Sequence, residues 1–268
     1  MPTVLAVMAH PDDIEITCAG TLILLRRAGW EVWMATMTPG DLGSATLPPR
    51  RIAAVRRREA ARSAALLGAR YVCLGFSDLR IRFDVPSVRR VCGLLREARP
   101  DLVICPSPFD YMADHTETPR IVREAAFAST VPHWKAALPG RRPPPPCGRV
   151  PALLYADPID LVDGFGRRVP ARYVVDITDA IDLKEKMLAA HASQREWLRR
   201  QHGEDEYLAW MRRQSAARAR DFGRRSVRYA EGFLPHLGHA FPAEDVLTAA
   251  LGPGRVRRRR GDGPVGPI

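Results

Sequence analysis

The chain has 268 residues, 46% of them hydrophobic, and a formal net charge of +11. That length fits one large domain with a substantial core. No apolar run approaches the roughly 18 residues that a membrane helix needs, so a membrane-spanning helix is excluded. The amino-terminal Met1-Pro2-Thr3-Val4-Leu5-Ala6-Val7 has no basic region and no small-residue cleavage site. It therefore reads as a buried first strand rather than a signal peptide, and the protein is expected in the cytoplasm. Five cysteines, at 18, 73, 92, 105 and 147, show no CxxC spacing, which argues against a disulfide framework or a thiolate zinc site. Cys73, Cys92 and Cys105 lie in apolar runs and read as small core residues. Arginine supplies most of the positive charge, without interleaved aromatics, so the reading is solvated helix faces and no nucleic-acid partner.

In chain order, Val4 to Met8 is a predicted strand, followed by a helix over Thr21 to Ala28 and a strand over Glu31 to Met37. Helical spacing covers Arg50 to Leu67 and Ser87 to Ala98, with strands at Tyr71 to Gly75 and Leu102 to Cys105. A helix is expected to start near Pro119. A Pro-rich loop follows, centred on Arg141 to Pro146, and strands resume at Ala152 to Tyr155 and Tyr173 to Ile177. Asp179 is expected to cap a helix running to about Arg200, and a second helix covers Glu204 to Arg220. The alternation of strand and helix implies βαβ crossovers and a mostly parallel sheet. Residues 1–252 read as one domain, and residues 253–268 as a disordered Arg/Gly/Pro-rich tail.

Two loops carry chemistry. His10-Pro11-Asp12-Asp13-Ile14-Glu15 directly follows the first strand. In open α/β sheets, ligands gather at the carboxyl ends of the strands. One imidazole and three carboxylates crowded there call for a cation, and such donors suit zinc. Taken alone, the same turn reads equally well as an Asp-rich cap for the next helix. Pro106 to His115 follows the strand ending at Cys105 and brings Asp114 and His115 to the same edge. A His/Asp/His set with an open position is a hydrolytic zinc arrangement.

These motifs resemble the PIG-L/LmbE family of metal-dependent N-deacetylases. AHPDDIEITCAGTL is similar to the family's opening motif, and DYMADH to its second. The likeness continues through Thr38 to Ser44, Arg56 and Glu59, Leu66-Leu67-Gly68 and Leu74 to Asp78. It extends to Val175-Asp176-Ile177-Thr178 and His191-Ala192-Ser193-Gln194. The resemblance implies a Rossmann-like α/β fold with helices on both faces of the sheet and a C-terminal helical extension. It implies His10, Asp13 and His115 as ligands of a divalent ion, Zn2+ or alternatively Fe2+. It also implies Asp12 as general base and Arg56 and Asp78 as substrate-binding residues. The implied activity is removal of an acetyl group from an N-acetylated sugar or sugar conjugate, by a protein that can form a homo-oligomer. Rival readings are an amidase acting on a non-sugar or antibiotic-type amide, and a catalytically silent metal-binding homologue.

The sequence departs from the family at two places. Met112 stands where many relatives have a histidine thought to act as acid or oxyanion stabiliser. A thioether cannot donate a proton, so His236 and His239 are the candidates to return to the site and replace it. Ile14 separates Glu15 from the Asp-Asp pair, where the acid usually follows directly. His191 is expected within a helix, with a packing role.

Overall fold

A computed structural model describes residues 1–138, 140, 144–202 and 206–259, excepting the side chains of residues 200–202. Five parallel strands form the first part of one eight-stranded sheet: β1 (Thr3–Met8), β2 (Glu31–Thr36), β3 (Arg70–Cys73), β4 (Leu102–Cys105) and β5 (Ala152–Ala156). β6 (Tyr173–Asp176), β7 (Ala230–Pro235) and β8 (Val256–Arg258) complete it, in the order β3-β2-β1-β4-β5-β7-β6-β8. β7 is antiparallel to both β5 and β6, and β8 is antiparallel to β6. The mostly parallel sheet expected from the strand–helix alternation is present, with a mixed far edge.

Alternate residues of a strand face opposite sides. Val4, Ala6 and Met8 of β1 accordingly enter one core and Leu5 and Val7 the other. The first core is closed by α1 (Asp13–Thr17), α2 (Ala19–Arg27), α3 (Pro49–Leu67), α6 (Ile181–Ala189) and α8 (Glu206–Ala219). α9 (Val246–Leu251) adds Leu247 to it. The second core is closed by α4 (Val85–Ala98) and α5 (Ala113–Ala128). Both faces are covered, so the inner strands read as continuous apolar runs. Among the described residues, no helix is long and apolar enough to cross a membrane.

Several expectations need correction. α5 begins at Ala113, not near Pro119, which lies inside it. The ring removes one backbone donor, and the Thr118 hydroxyl bonds the Asp114 carbonyl at 2.7 Å one turn back. Asp179 does not cap α6, whose N-cap is Ala180; it pairs instead with Arg255, at 2.6 Å. The long helix expected after it is two, α6 and α7 (Ala192–His202), and His191 sits in the break between them. The tail is not disordered at its start, because Val256–Arg258 forms β8 against β6. Residues 260–268, and Glu204 and residues 141–143 of the expected helix and loop, lie outside the described residues.

Candidate active site

β1 and β4 are neighbours, and the chain leaves β1 for β2 on one side and reaches β4 on the other. That reversal opens a crevice at their carboxyl ends. His10 follows β1 into it. The chain then turns at Asp12, whose φ of 99° and ψ of −27° lie in the left-handed region. A side chain with a β-carbon is rare there, and such strain clusters at functional sites. The turn starts α1 and directs Asp13 back, so that its Oδ2 accepts the His10 backbone N–H at 2.8 Å. After β4, the early start of α5 puts Asp114 and His115 in a first helical turn facing the same crevice.

His10, Asp13 and His115 meet there as a group able to hold a metal ion. His10 Nδ1 and His115 Nε2 are 3.2 Å apart, and Asp13 Oδ2 lies 3.5 and 3.4 Å from them. Tetrahedral zinc with bonds of about 2.0–2.1 Å to nitrogen and oxygen has ligand–ligand edges of about 3.4 Å. The donor triangle is of the size that such a divalent ion needs.

Each imidazole is backed by a carboxylate to which the sequence alone assigned no role. His10 Nε2 lies 3.0 Å from Asp114 Oδ2, and His115 Nδ1 lies 3.3 Å from Asp110 Oδ2. Asp114 is itself fixed by backbone N–H groups of Leu79, at 2.7 Å, and Ile81, at 3.4 Å. Such partners set the tautomer and ring orientation of metal-binding histidines. Burial disfavours the charged form of His10, but hydrogen bonds to Asp114 and Asp13 outweigh it and hold its pKa at about 9. For His115, burial is likewise overcome, chiefly by the charge of Asp13 and the bond to Asp110, and the pKa reaches about 10. Burial acts to raise the Asp13 pKa, yet the two imidazoles hold it well below the usual carboxylate range. Asp12 differs: burial raises its pKa, with Arg56 pulling the other way. A carboxylate shifted upward beside a metal site is suited to taking and returning a proton.

The triangle opens on a cavity of about 250 Å³. Asp12, Arg56, Tyr111, Gln194, Tyr207 and Trp210 line it, together with the apolar Ile16, Ile159 and Leu198. Arg56 Nη2 donates to the Pro11 carbonyl at 2.8 Å and to Asp12 Oδ2 at 3.3 Å. Gly40 and Gly43 make room for it, since a β-carbon at either would collide with its guanidinium. Asp78 does not line the cavity. It pins the neighbouring loop, with Oδ2 accepting the Leu42 N–H at 2.9 Å and its own N–H reaching Asp41 at 2.8 Å.

The structure does not bring His236 or His239 to the triangle. His236 follows the last residue of β7, which runs antiparallel to β5, and its backbone N–H bonds the Leu153 carbonyl at 2.8 Å. That places it toward the start of β5, away from the carboxyl edge. Its ring meets Tyr155 Oη at 3.1 Å and packs edge-on to Phe241. His239 is exposed in the following turn. Met112 is the N-cap of α5. Beside it, Tyr111 stands edge-on to His115 with ring centroids 5.5 Å apart. Glu15 is buried away from the cavity, bonded to the Ser63 hydroxyl and 3.2 Å from His191 Nε2.

Residues 5–126 match the family described as PIG-L, GlcNAc-PI de-N-acetylase. The chain is 28% identical over 195 residues to the diacetylchitobiose deacetylase of Thermococcus kodakarensis, covering 71% of this chain and 69% of that protein. Among solved structures it is similar to N,N'-diacetylchitobiose deacetylase from Pyrococcus horikoshii. The TM-score is 0.71 at 27% identity, over 91% of this chain and 88% of that one. It also shares the fold of the 4-carboxy-2-hydroxymuconate hydratase from Pseudomonas putida KT2440. There the TM-score is 0.72 at 20% identity, over 91% of this chain and 100% of that one. At that identity the likeness is one of fold.

Proposed function

Because the chain belongs to the PIG-L family of de-N-acetylases, we propose that it hydrolyses the acetamide of an N-acetylated sugar or sugar conjugate. His10, Asp13 and His115 would hold the divalent ion, zinc by the fit of the donor set. The observation that carries this reading is the donor triangle with Asp12 beside it, both lining one cleft. When bound, such an ion polarises the acetyl carbonyl and lowers the pKa of water to about 7. Asp12 takes the proton of the attacking water as oxygen bonds to the acetyl carbon. It then returns the proton to the nitrogen as the C–N bond breaks, which leaves acetate and a free amine. Tyr111, whose phenol burial pushes up to about 12, remains a neutral donor beside His115 and occupies the region where Met112 has no proton to give. Asp110 and Asp114 orient the two imidazoles.

The test is acetate release from a panel of N-acetyl sugars by protein loaded with one equivalent of zinc or ferrous ion, with two variants beside it. Asp12→Asn should retain the metal and lower kcat by about 10²–10⁴-fold, the usual worth of a positioned acid/base. Asp13→Asn should lose metal affinity. No acetate from any N-acetyl sugar by the fully loaded protein would sink the substrate class. Equal metal loss in both variants would sink the division of roles between Asp12 and Asp13.

A further inference from the structure

The direction in which Asp12 presents its carboxylate is set by two side chains from distant parts of the sequence. The Tyr207 hydroxyl, from α8, donates to Asp12 Oδ2 at 2.6 Å. Arg56, from α3, reaches the same oxygen at 3.3 Å. Among the described residues no hydrogen bond ends on Oδ1. Tyr207 is 6% exposed, and its ring forms part of the cavity wall. Nothing in its surroundings resembles a motif, and it lies far beyond the two loops that carry the metal donors.

We propose that Tyr207 is a positioning residue for the reaction: with Arg56 it clamps Oδ2, so that Oδ1 is the oxygen offered to the attacking water. The terminal torsion of an aspartate is broad and roughly two-fold, so the backbone of Asp12 alone does not decide which oxygen faces the cavity. Arg56 alone is a weak clamp, because its Nη2 reaches Asp12 Oδ2 only at 3.3 Å, while the Pro11 carbonyl takes its shorter bond at 2.8 Å. The phenol closes the arrangement from the other side. Being neutral, it fixes the carboxylate without adding a second positive charge that would oppose its protonation during turnover.

This inference rests on the deacetylase reading with Asp12 as base, and the experiment separates the two. Tyr207→Phe removes the hydroxyl and keeps the ring. Its kcat should fall about 10–100-fold, the scale of a misplaced reacting group. KM and metal content, read by titration calorimetry and elemental analysis, should stay at wild-type values. In an Asp12→Asn background the same substitution should cost nothing further, because no base remains to be oriented. A Tyr207→Phe variant at wild-type kcat overturns the proposal, and so does a loss that multiplies unchanged in the Asp12→Asn background. Full activity in Asp12→Asn itself would instead bring down the deacetylase mechanism. Should Tyr207→Phe fail to fold, 3-fluorotyrosine at position 207 preserves packing and alters hydrogen-bond strength. A kcat that moves then supports the clamp, and one that stays put overturns it.

Discussion

At the scale of single residues, the site is a set of pairs in which one member acts and the other aims it. Asp114 stands behind His10 and Asp110 behind His115. Removing such a partner usually costs 10–100-fold in metal affinity. Asp114→Asn and Asp110→Asn should each weaken zinc binding by about that factor in a chelator competition assay, while the Asp12 and Asp13 side chains stay in place. Unchanged affinity in both would show that the backbone alone orients the rings. His10, Asp12, Asp13 and His115 were legible in the sequence because each sits in a short motif directly after a strand. Asp110 and Asp114 lay inside one of those motifs, but their pairing depends on how two loops face each other, which no local pattern encodes. Of the two residues expected to bind substrate, Arg56 lines the cavity and Asp78 does not; an aspartate in a turn has the same signature whether it meets a ligand or its own backbone. His236 and His239 were put forward because their segment is turn-rich, yet the antiparallel course of β7 carries them toward the opposite end of β5.

At the scale of elements, the parallel half of the sheet was readable from its apolar runs, and β4 begins and ends where the sequence put it. β7 was not, since Ala-Glu-Gly-Phe-Leu-Pro neither alternates nor forms an apolar run. Its polar residue has a specific task. Glu231 accepts the backbone N–H groups of Gly20 and Thr21 at 2.8 and 2.7 Å, at the start of α2, where a negative charge is favoured. Lys184 of α6, with no solvent exposure, neutralises it at 2.7 Å. Three elements are thereby joined through one buried ion pair. Removing one partner of such a pair leaves an uncompensated charge and costs about 3–5 kcal/mol. Lys184→Met should therefore lower the urea midpoint by a corresponding amount with no change in the metal site. A midpoint equal to wild type would mean that the helix terminus alone suffices to hold Glu231.

At the scale of the whole molecule, the metal site exchanges with protons. In the metal-free protein His10 and His115 titrate at about 9 and about 10, so both carry protons at pH 7, whereas metal binding requires neutral imidazoles. Uptake of one ion at pH 7 should release about two protons, measurable by calorimetry in buffers of different ionisation enthalpy. A release near zero would place the neutral forms in the free protein. The sign for stability follows from the same shifts. Both folded values lie above the ordinary histidine value of 6.5. The two histidines therefore stabilise the metal-free fold fully below about pH 6.5, and that contribution disappears as pH rises through about 9 and 10. The melting temperature of chelated protein should fall across that range, and that of the metal-loaded protein should not.

All three candidate metal donors, and Asp12 beside them, come from residues 10 to 115. Ile159, Gln194, Leu198, Tyr207 and Trp210, which wall the cavity above them, come from the other half of the chain. Ile16, Arg56 and Tyr111 of the first half complete that wall, so both halves of the polypeptide meet at the cleft. Tyr207 is the contact through which the second half touches Asp12. Exchange of that segment between relatives should preserve turnover chemistry only where a donor is kept at this one seam.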